Sequence, residues 1–289
     1  MSRPTDCASK DSTTAPVGIF DSGLGGLSVL RALRAQLPEE SFVYVADSRH
    51  APYGERYDAF IIERTLAIGE WLAAPGAKAL VVACNTATAQ SIGVVREKLS
   101  IPLVGVEPGI KPATLASRSR VAGVLATAAT LRSARFESLI ERYAADCRFL
   151  RQPGHGLVEA IERGDTGSPA LRALLAGYLE PMLAAGADTL VLGCTHYPFL
   201  DATIRELTQD CLTLIDTSEA IARQLARVLA EHGLCAPSGA AARPPRLYST
   251  DDGSRLQAFA TALLGLDTPA TETVEIASPR CAVYSSLPA

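Results

Sequence analysis

Apolar positions along the chain fall into two alternating patterns. Short unbroken runs, VGIF (17–20), FVYVA (42–46), ALVVA (79–83) and PLVGV (102–106), carry no polar interruption, as strands buried on both faces do. Between them LGGLSVLRALRAQL, DAFIIERTLAIGEWLAA and TATAQSIGVVREKL place apolar residues three and four apart, which predicts helices covering a sheet. The series then restarts with VAGVL (121–125), CRFL (147–150), TLVLG (189–193) and LTLI (212–215). Such alternation predicts an α/β protein built from doubly wound parallel sheets.

The restart repeats residues as well as pattern. GAKALVVAC (76–84) aligns with GADTLVLGC (186–194) at an offset of 110, and GIFDSG from Gly18 aligns with GVLATA from Gly123 at an offset of 105. Two pseudo-symmetric halves, each carrying a cysteine at the same strand end, are the simplest account. The stretch GLCAPSGAAARPPR (233–246) reads as a linker, and RLYST with DDGSRLQAFATALLG as a further strand and helix.

Composition narrows the chemistry. The chain has 289 residues, 48% of them hydrophobic, which suits two domains with sizeable cores. The polar opening MSRPTDCASKDSTTAP reads as a loose arm of some sixteen residues, without an apolar leader, and no run reaches membrane-spanning length. A net charge of −4 without Lys/Arg clusters gives no footprint for nucleic acid and favours a small-molecule partner. The seven cysteines (7, 84, 147, 194, 211, 235, 281) are odd in number and include no Cys-x-x-Cys pair. That spacing fits a reducing compartment better than a disulfide framework or a structural zinc site.

Cys84 and Cys194 therefore stand out. A single Cys84 reads as a small buried hydrophobe, but recurrence at equivalent strand ends places both where open α/β sheets bind ligands. A helix N-terminus following each would favour its thiolate. Two thiols from two halves suit inversion of a carbon centre, where a base removes a proton from one face and an acid delivers one to the other. Asp21, in FDSGLGG, reads either as an N-cap or as a carboxylate tuning Cys84. DSRHAPYG (47–54) has turn composition and offers Pro52-Tyr53-Gly54 as a wall and backbone donor. His196, two beyond Cys194, reads as a helix-start histidine, as part of a metal pair lacking further ligands at a sensible spacing, or as an imidazole assisting the thiol. GLGG lacks nucleotide-binding spacing, and no lysine sits at a strand end facing the expected cleft for a Schiff base, so no cofactor and no metal are expected.

VGIFDSGLGGLSVL, the loop ending APYG, ACNTATA, GVEPGIKPA and LGCTHYPFL, in that order, resemble the glutamate racemases of the cofactor-independent amino-acid racemase family. The resemblance spans about Val17 to Gly265. It implies a cytoplasmic, homodimeric isomerase that interconverts L- and D-glutamate and supplies D-glutamate for peptidoglycan. Cys84 would act on the D-enantiomer with Asp21, and Cys194 on the L-enantiomer with His196. Asp21, Ser22, Tyr53, Gly54, Asn85, Thr86, Thr195 and His196 would line the substrate site. A glutamate near the second cysteine would be Glu162, two before Gly164, with Glu159 one turn earlier as the other candidate. The resemblance also implies that the chain returns to its first half, giving domains of 17–113 plus 217–289 and 114–216, with the arm at 1–16. A sister enzyme acting on aspartate and a non-catalytic binder of acidic amino acids are the alternatives; binding alone needs neither thiol.

Overall fold

A computed structural model describes residues 12–241, 243–265 and 271–278. The first stretch alternates β1 (Val17–Asp21), α1 (Leu27–Gln36), β2 (Phe42–Ala46), α2 (Asp58–Ala73), β3 (Ala79–Val82), α3 (Asn85–Lys98), β4 (Leu103–Gly105) and α4 (Ile110–Ala116). The second runs β5 (Val121–Ala126), α5 (Ala128–Leu131), α6 (Ala134–Tyr143), β6 (Arg148–Pro153), α7 (Leu157–Glu162), α8 (Pro169–Ala184), β7 (Thr189–Gly193), α9 (Asp201–Thr208) and β8 (Thr213–Ile215). The chain closes with α10 (Ser218–Glu231), β9 (Arg246–Ser249), α11 (Ser254–Leu264) and β10 (Thr271–Thr273).

Two all-parallel sheets result, ordered β10-β9-β2-β1-β3-β4 and β6-β5-β7-β8. The second sheet copies the middle of the first. Val17 pairs with Ala79 in one and Ala122 with Thr189 in the other, so the pairing register preserves both offsets read from the repeat. β9 joins the first sheet beside β2, with Val43 opposite Arg246, which returns the chain to the half where it began. α10 returns too, its Ile221, Ala222 and Leu225 packing with Leu27, Leu30 and Leu33 of α1.

The unbroken apolar runs are explained by burial on both faces. Val17 and Ile19 join Tyr44, Val81 and Leu225 on one side of the first sheet, while Phe20 joins Val45, Leu80, Val82 and Ile68 on the other. In the second sheet Leu125, Leu190 and Leu192 pack on α7 and α8, and Val124, Ala126 and Val191 pack toward Ile110 and Phe136. Each fully buried Leu or Val contributes about 1.5–3 kcal/mol.

Of the arm expected over 1–16, residues 1–11 lie outside the described residues, as do Cys7 and Cys281. Ser12–Thr14 form one 3₁₀ turn. The Thr13 carbonyl accepts a bond of 2.6 Å from Lys78 Nζ, whose charge also pairs with Glu40. Among the described residues, no helix is long and apolar enough to cross a membrane.

Candidate active site

The ends of β1, β3 and β7 bring the first group of side chains together. Asp21, the last residue of β1, is fully buried and accepts bonds from Gly23 N (2.7 Å) and from Thr195 Oγ1 of the other half (3.0 Å). Burial is the main influence on its carboxyl and raises its pKa, with the Glu162 charge acting the same way. His196 and the two donors pull only partly against this. The N-cap alternative does not apply, because Gly26 occupies the N-cap of α1.

Cys84 follows β3 and caps α3, its sulfur accepting from Ala87 N (3.5 Å) and lying 3.4 Å from Ser22 Oγ. The expectation that this location favours the thiolate is corrected by the structure. Only 5% of Cys84 is exposed, and burial together with the Asp21 charge pushes its thiol up to about 12, overriding the bonds from Ser22 and Ala87.

Cys194 follows β7, but the helix start expected after it takes another form. Tyr197–Leu200 is a 3₁₀ turn, and α9 begins only at Asp201. Proline chemistry explains the difference. In the first half Thr88 N closes the opening α-turn on the Cys84 carbonyl at 2.8 Å. The equivalent residue in the second half is Pro198, which has no N–H. Tyr197 N bonds the Cys194 carbonyl instead, at 3.0 Å.

What Cys194 has beside it is an imidazole. His196 Nδ1 lies 3.7 Å from the Cys194 sulfur, and His196 Nε2 lies 2.6 Å from Glu162 Oε1. The same carboxylate oxygen accepts Leu24 N at 2.7 Å, tying α7 to the loop after β1. Burial alone would lower the His196 pKa; its bonds to Cys194 and Glu162 outweigh burial and raise it well above the usual range. Both glutamates considered line a cavity with Pro52, Val158 and Arg163, and of the two Glu162 joins this chain of bonds.

The remaining expected residues gather around these two thiols in unequal ways. Thr86 Oγ1 reaches across to Thr127 Oγ1 (2.8 Å), which in turn bonds Thr130 Oγ1 (2.9 Å). Asn85 is buried, and its Nδ2 has no partner among the described residues, a donor left open. Tyr53 is also buried, but its hydroxyl donates to Asp47 Oδ2 at 2.6 Å, so it offers the site a ring and a main chain. Gly54 packs on Thr127, where an added Cβ would sit 3.0 Å from the threonine Cβ.

Thr127, Thr130 and Gly25 were missed in the sequence. Thr127 aligns with Ser22 at the offset of 105, so the repeat carried its signal. Gly25 had no local signal: a Cβ there would lie 2.3 Å from His196 Nδ1 and 2.7 Å from Thr195 Oγ1. The GLGG run thus gives the loop room beneath the imidazole.

Fold and site together define a class: an α/β protein of two like sheets, whose matching strand-end thiols flank one set of hydroxyl, amide and carboxyl groups. The chain belongs to the Asp/Glu/Hydantoin racemase family, whose family model matches residues 26–225, and it is accordingly a racemase. It is similar to a glutamate racemase of Ralstonia nicotianae, 61% identical over 262 residues that cover 91% of this chain and 94% of that one. Among solved structures it is similar to Escherichia coli glutamate racemase in complex with L-glutamate and the activator UDP-MurNAc-ala, with TM-score 0.80, 33% identity and coverage of 91% and 99%. It is also similar to Francisella tularensis glutamate racemase in complex with D-glutamate, with TM-score 0.80, 28% identity and coverage of 92% and 99%.

Proposed function

We propose that this chain is a glutamate racemase that moves protons between Cys84 on one face of the substrate α-carbon and Cys194 on the other. The observation that carries the reading is the unequal dressing of two equivalent thiols. Cys84 is held protonated, up to about 12, beside a buried carboxylate, whereas the Cys194 sulfur faces a histidine whose pKa is raised. A thiol that keeps its proton is an acid, and a sulfur beside an imidazolium is a base. In this resting form Cys194 removes the α-proton of L-glutamate while Cys84 delivers a proton to the opposite face. The product leaves the roles reversed, ready for D-glutamate.

Charge developing beside the α-carboxylate needs donors already in place. Asn85 Nδ2, the hydroxyls of Ser22, Thr86, Thr127, Thr130 and Thr195, and the main chain at Gly54 supply them within this proposal. The cleft lies between two domains, 17–113 with 217–289 and 114–216. Similarity to glutamate racemases supports the remaining parts of the reading: D-glutamate for peptidoglycan, a cytoplasmic location and a homodimer. Light scattering on the purified protein reads the last.

Polarimetry by circular dichroism with L-glutamate, D-glutamate and L-aspartate tests the substrate. The second carboxylate acts as a ruler: aspartate is one methylene shorter, so anchoring its side chain displaces the α-carbon by something over ~1 Å, which costs on the order of 10²-fold in rate. The expected kcat/KM for L-glutamate exceeds that for L-aspartate by at least roughly that factor. Comparable or faster turnover of aspartate overturns the assignment. In deuterated water the product should acquire solvent deuterium well before recovered substrate does; equal labelling of both pools points to a single swinging base.

A further inference from the structure

Residues 271–276 lie beyond the segment that carries the sequence resemblance, yet they are wired to the wall of the site. β10 pairs with β9, Thr271 opposite Leu247, and Val274 N bonds the Ser249 carbonyl at 2.8 Å. The Ile276 side chain is buried in the apolar cluster that also holds Tyr53, Phe20 and Cys84. Its carbonyl accepts Arg64 Nη1 at 2.6 Å. Arg64, itself buried, grips Asp47 with two nitrogens, Nε on Oδ2 (3.0 Å) and Nη2 on Oδ1 (2.7 Å). Asp47 Oδ2 in turn takes the Tyr53 hydroxyl at 2.6 Å, and Oδ1 takes Thr250 Oγ1 at 2.9 Å and His50 Nδ1 at 3.0 Å.

We propose that the C-terminal strap 271–276 is a positioning element for the reaction, setting the Tyr53-Gly54 wall through the path Ile276 carbonyl, Arg64, Asp47 and Tyr53 hydroxyl. The path is rigid for a chemical reason. A guanidinium bound at both nitrogens to one carboxylate has no free rotation, and its third nitrogen points where the fork dictates. Asp47 is held charged: burial works against its ionised form, and the bonds from His50 and Arg64 outweigh burial and keep its pKa well below the usual carboxylate range. Tyr53 is anchored at its hydroxyl by Asp47, and its ring lies 6.1 Å from both Phe20 and Phe60. Gly54 then meets Thr127 of the other half with little room for anything larger. A strap that slackens therefore lets Arg64, Asp47 and the wall drift together.

The catalytic half of this inference rests on the racemase reading, and the structural half does not, so two measurements are made on the full chain. Ile276→Ala unseats the strap while leaving its carbonyl; Ile276→Val is the conservative partner, and Arg64→Lys keeps the charge but cannot grip Asp47 and the Ile276 carbonyl at once. Amide hydrogen exchange should quicken by roughly fivefold or more over residues 51–56 in Ile276→Ala and Arg64→Lys, but not over α10, with Ile276→Val close to the parent. At a temperature where each variant is fully folded by circular dichroism, kcat/KM for L-glutamate should fall about tenfold in the first two, a fraction of the cost of a 1 Å misplacement, and recover in Ile276→Val. In a Tyr53→Phe background the same substitutions should cost less than about twofold more, because the path is already cut. Unchanged exchange over 51–56 in a folded variant, or the same fold-loss of activity with and without the Tyr53 hydroxyl, overturns the proposal. A parent that racemises no glutamate overturns the functional reading and leaves the exchange result to decide the strap.

Discussion

Gly25→Ala isolates the role of the loop under His196. The new Cβ would stand 2.3 Å from Nδ1 and 2.7 Å from Cε1 of His196, and 2.7 Å from Thr195 Oγ1. Ordinary contact begins near 3.4 Å, so the imidazole must retreat by about 1.1 Å, and Thr195 by about 0.7 Å. The ring has no free direction. Nε2 is bonded to Glu162 at 2.6 Å and Nδ1 faces the Cys194 sulfur at 3.7 Å, so moving it breaks one contact or the other. Misplacement by about 1 Å costs on the order of 10²-fold in rate, and kcat/KM from L-glutamate is expected to fall by roughly that much. Gly25 does not occupy the left-handed region, so the backbone accepts alanine and the effect belongs to the side chains. Gly93→Ala is the control: this exposed residue of α3 has nothing within 4 Å of an added Cβ. It should keep full activity and gain about 0.5–1 kcal/mol of stability. Racemisation is followed by circular dichroism, with far-ultraviolet spectra and thermal melts establishing the folded fraction. A folded Gly25→Ala enzyme within about threefold of the parent would refute the reasoning.

Cys84→Ala and Cys194→Ala should each abolish racemisation without altering the far-ultraviolet spectrum, while the exposed Cys211 and Cys235 accept alanine at full rate; activity in either of the first two removes the two-base scheme. Asp21→Asn takes away the negative charge beside Cys84 but leaves its burial, so the thiol should drop below about 12 and iodoacetamide should label Cys84 faster at about pH 9, read by mass spectrometry. Asp188 titrates at about 2, since donors from Ser117, Arg118, Ser119 and Thr189 outweigh its partial desolvation. A carboxyl lowered in the folded state stabilises above its ordinary value near 3.8, and that contribution fades as pH falls toward 2. Asp188→Asn should therefore flatten the decline of Tm across that acid window.

The sheets were legible because strands buried on both faces must be apolar at every position, and the halves were legible because their registers repeat. The return of β9 to β2 was not, since no local pattern says which edge a late strand will join. Cys84 and Cys194 could be picked out by recurrence, and Asp21 and His196 by adjacency to them. The ionisation of Cys84 could not be picked out in this way. A strand end followed by a helix argues for a thiolate; only the packing shows burial and Asp21 pushing the thiol up against the bonds from Ser22 and Ala87. Tyr53 was legible as part of a turn forming a wall, but not the bond from its hydroxyl to Asp47, six residues earlier. Position 198 carried its signal openly, as a proline where the first half has Thr88, and the change from α-turn to 3₁₀ turn follows from one missing N–H.

The differences between the halves bear more on the proposed chemistry than their likeness does. Aligned on the repeat, Asp21 stands where the second half has Ala126, and His196 stands where the first half has Thr86. Strict symmetry would give both thiols one environment; in the proposed reaction the unequal surroundings favour one sulfur as proton donor and the other as acceptor. Burial, together with the carboxylate of Asp21, pushes the Cys84 thiol up, and an imidazole bonded to Glu162 lies beside the Cys194 sulfur. Neither group is confined to its own half: Asp21 is bonded by Thr195, and Glu162 is bonded by Leu24. The contacts that make the surroundings of the two thiols unequal are thus also contacts that join the two halves.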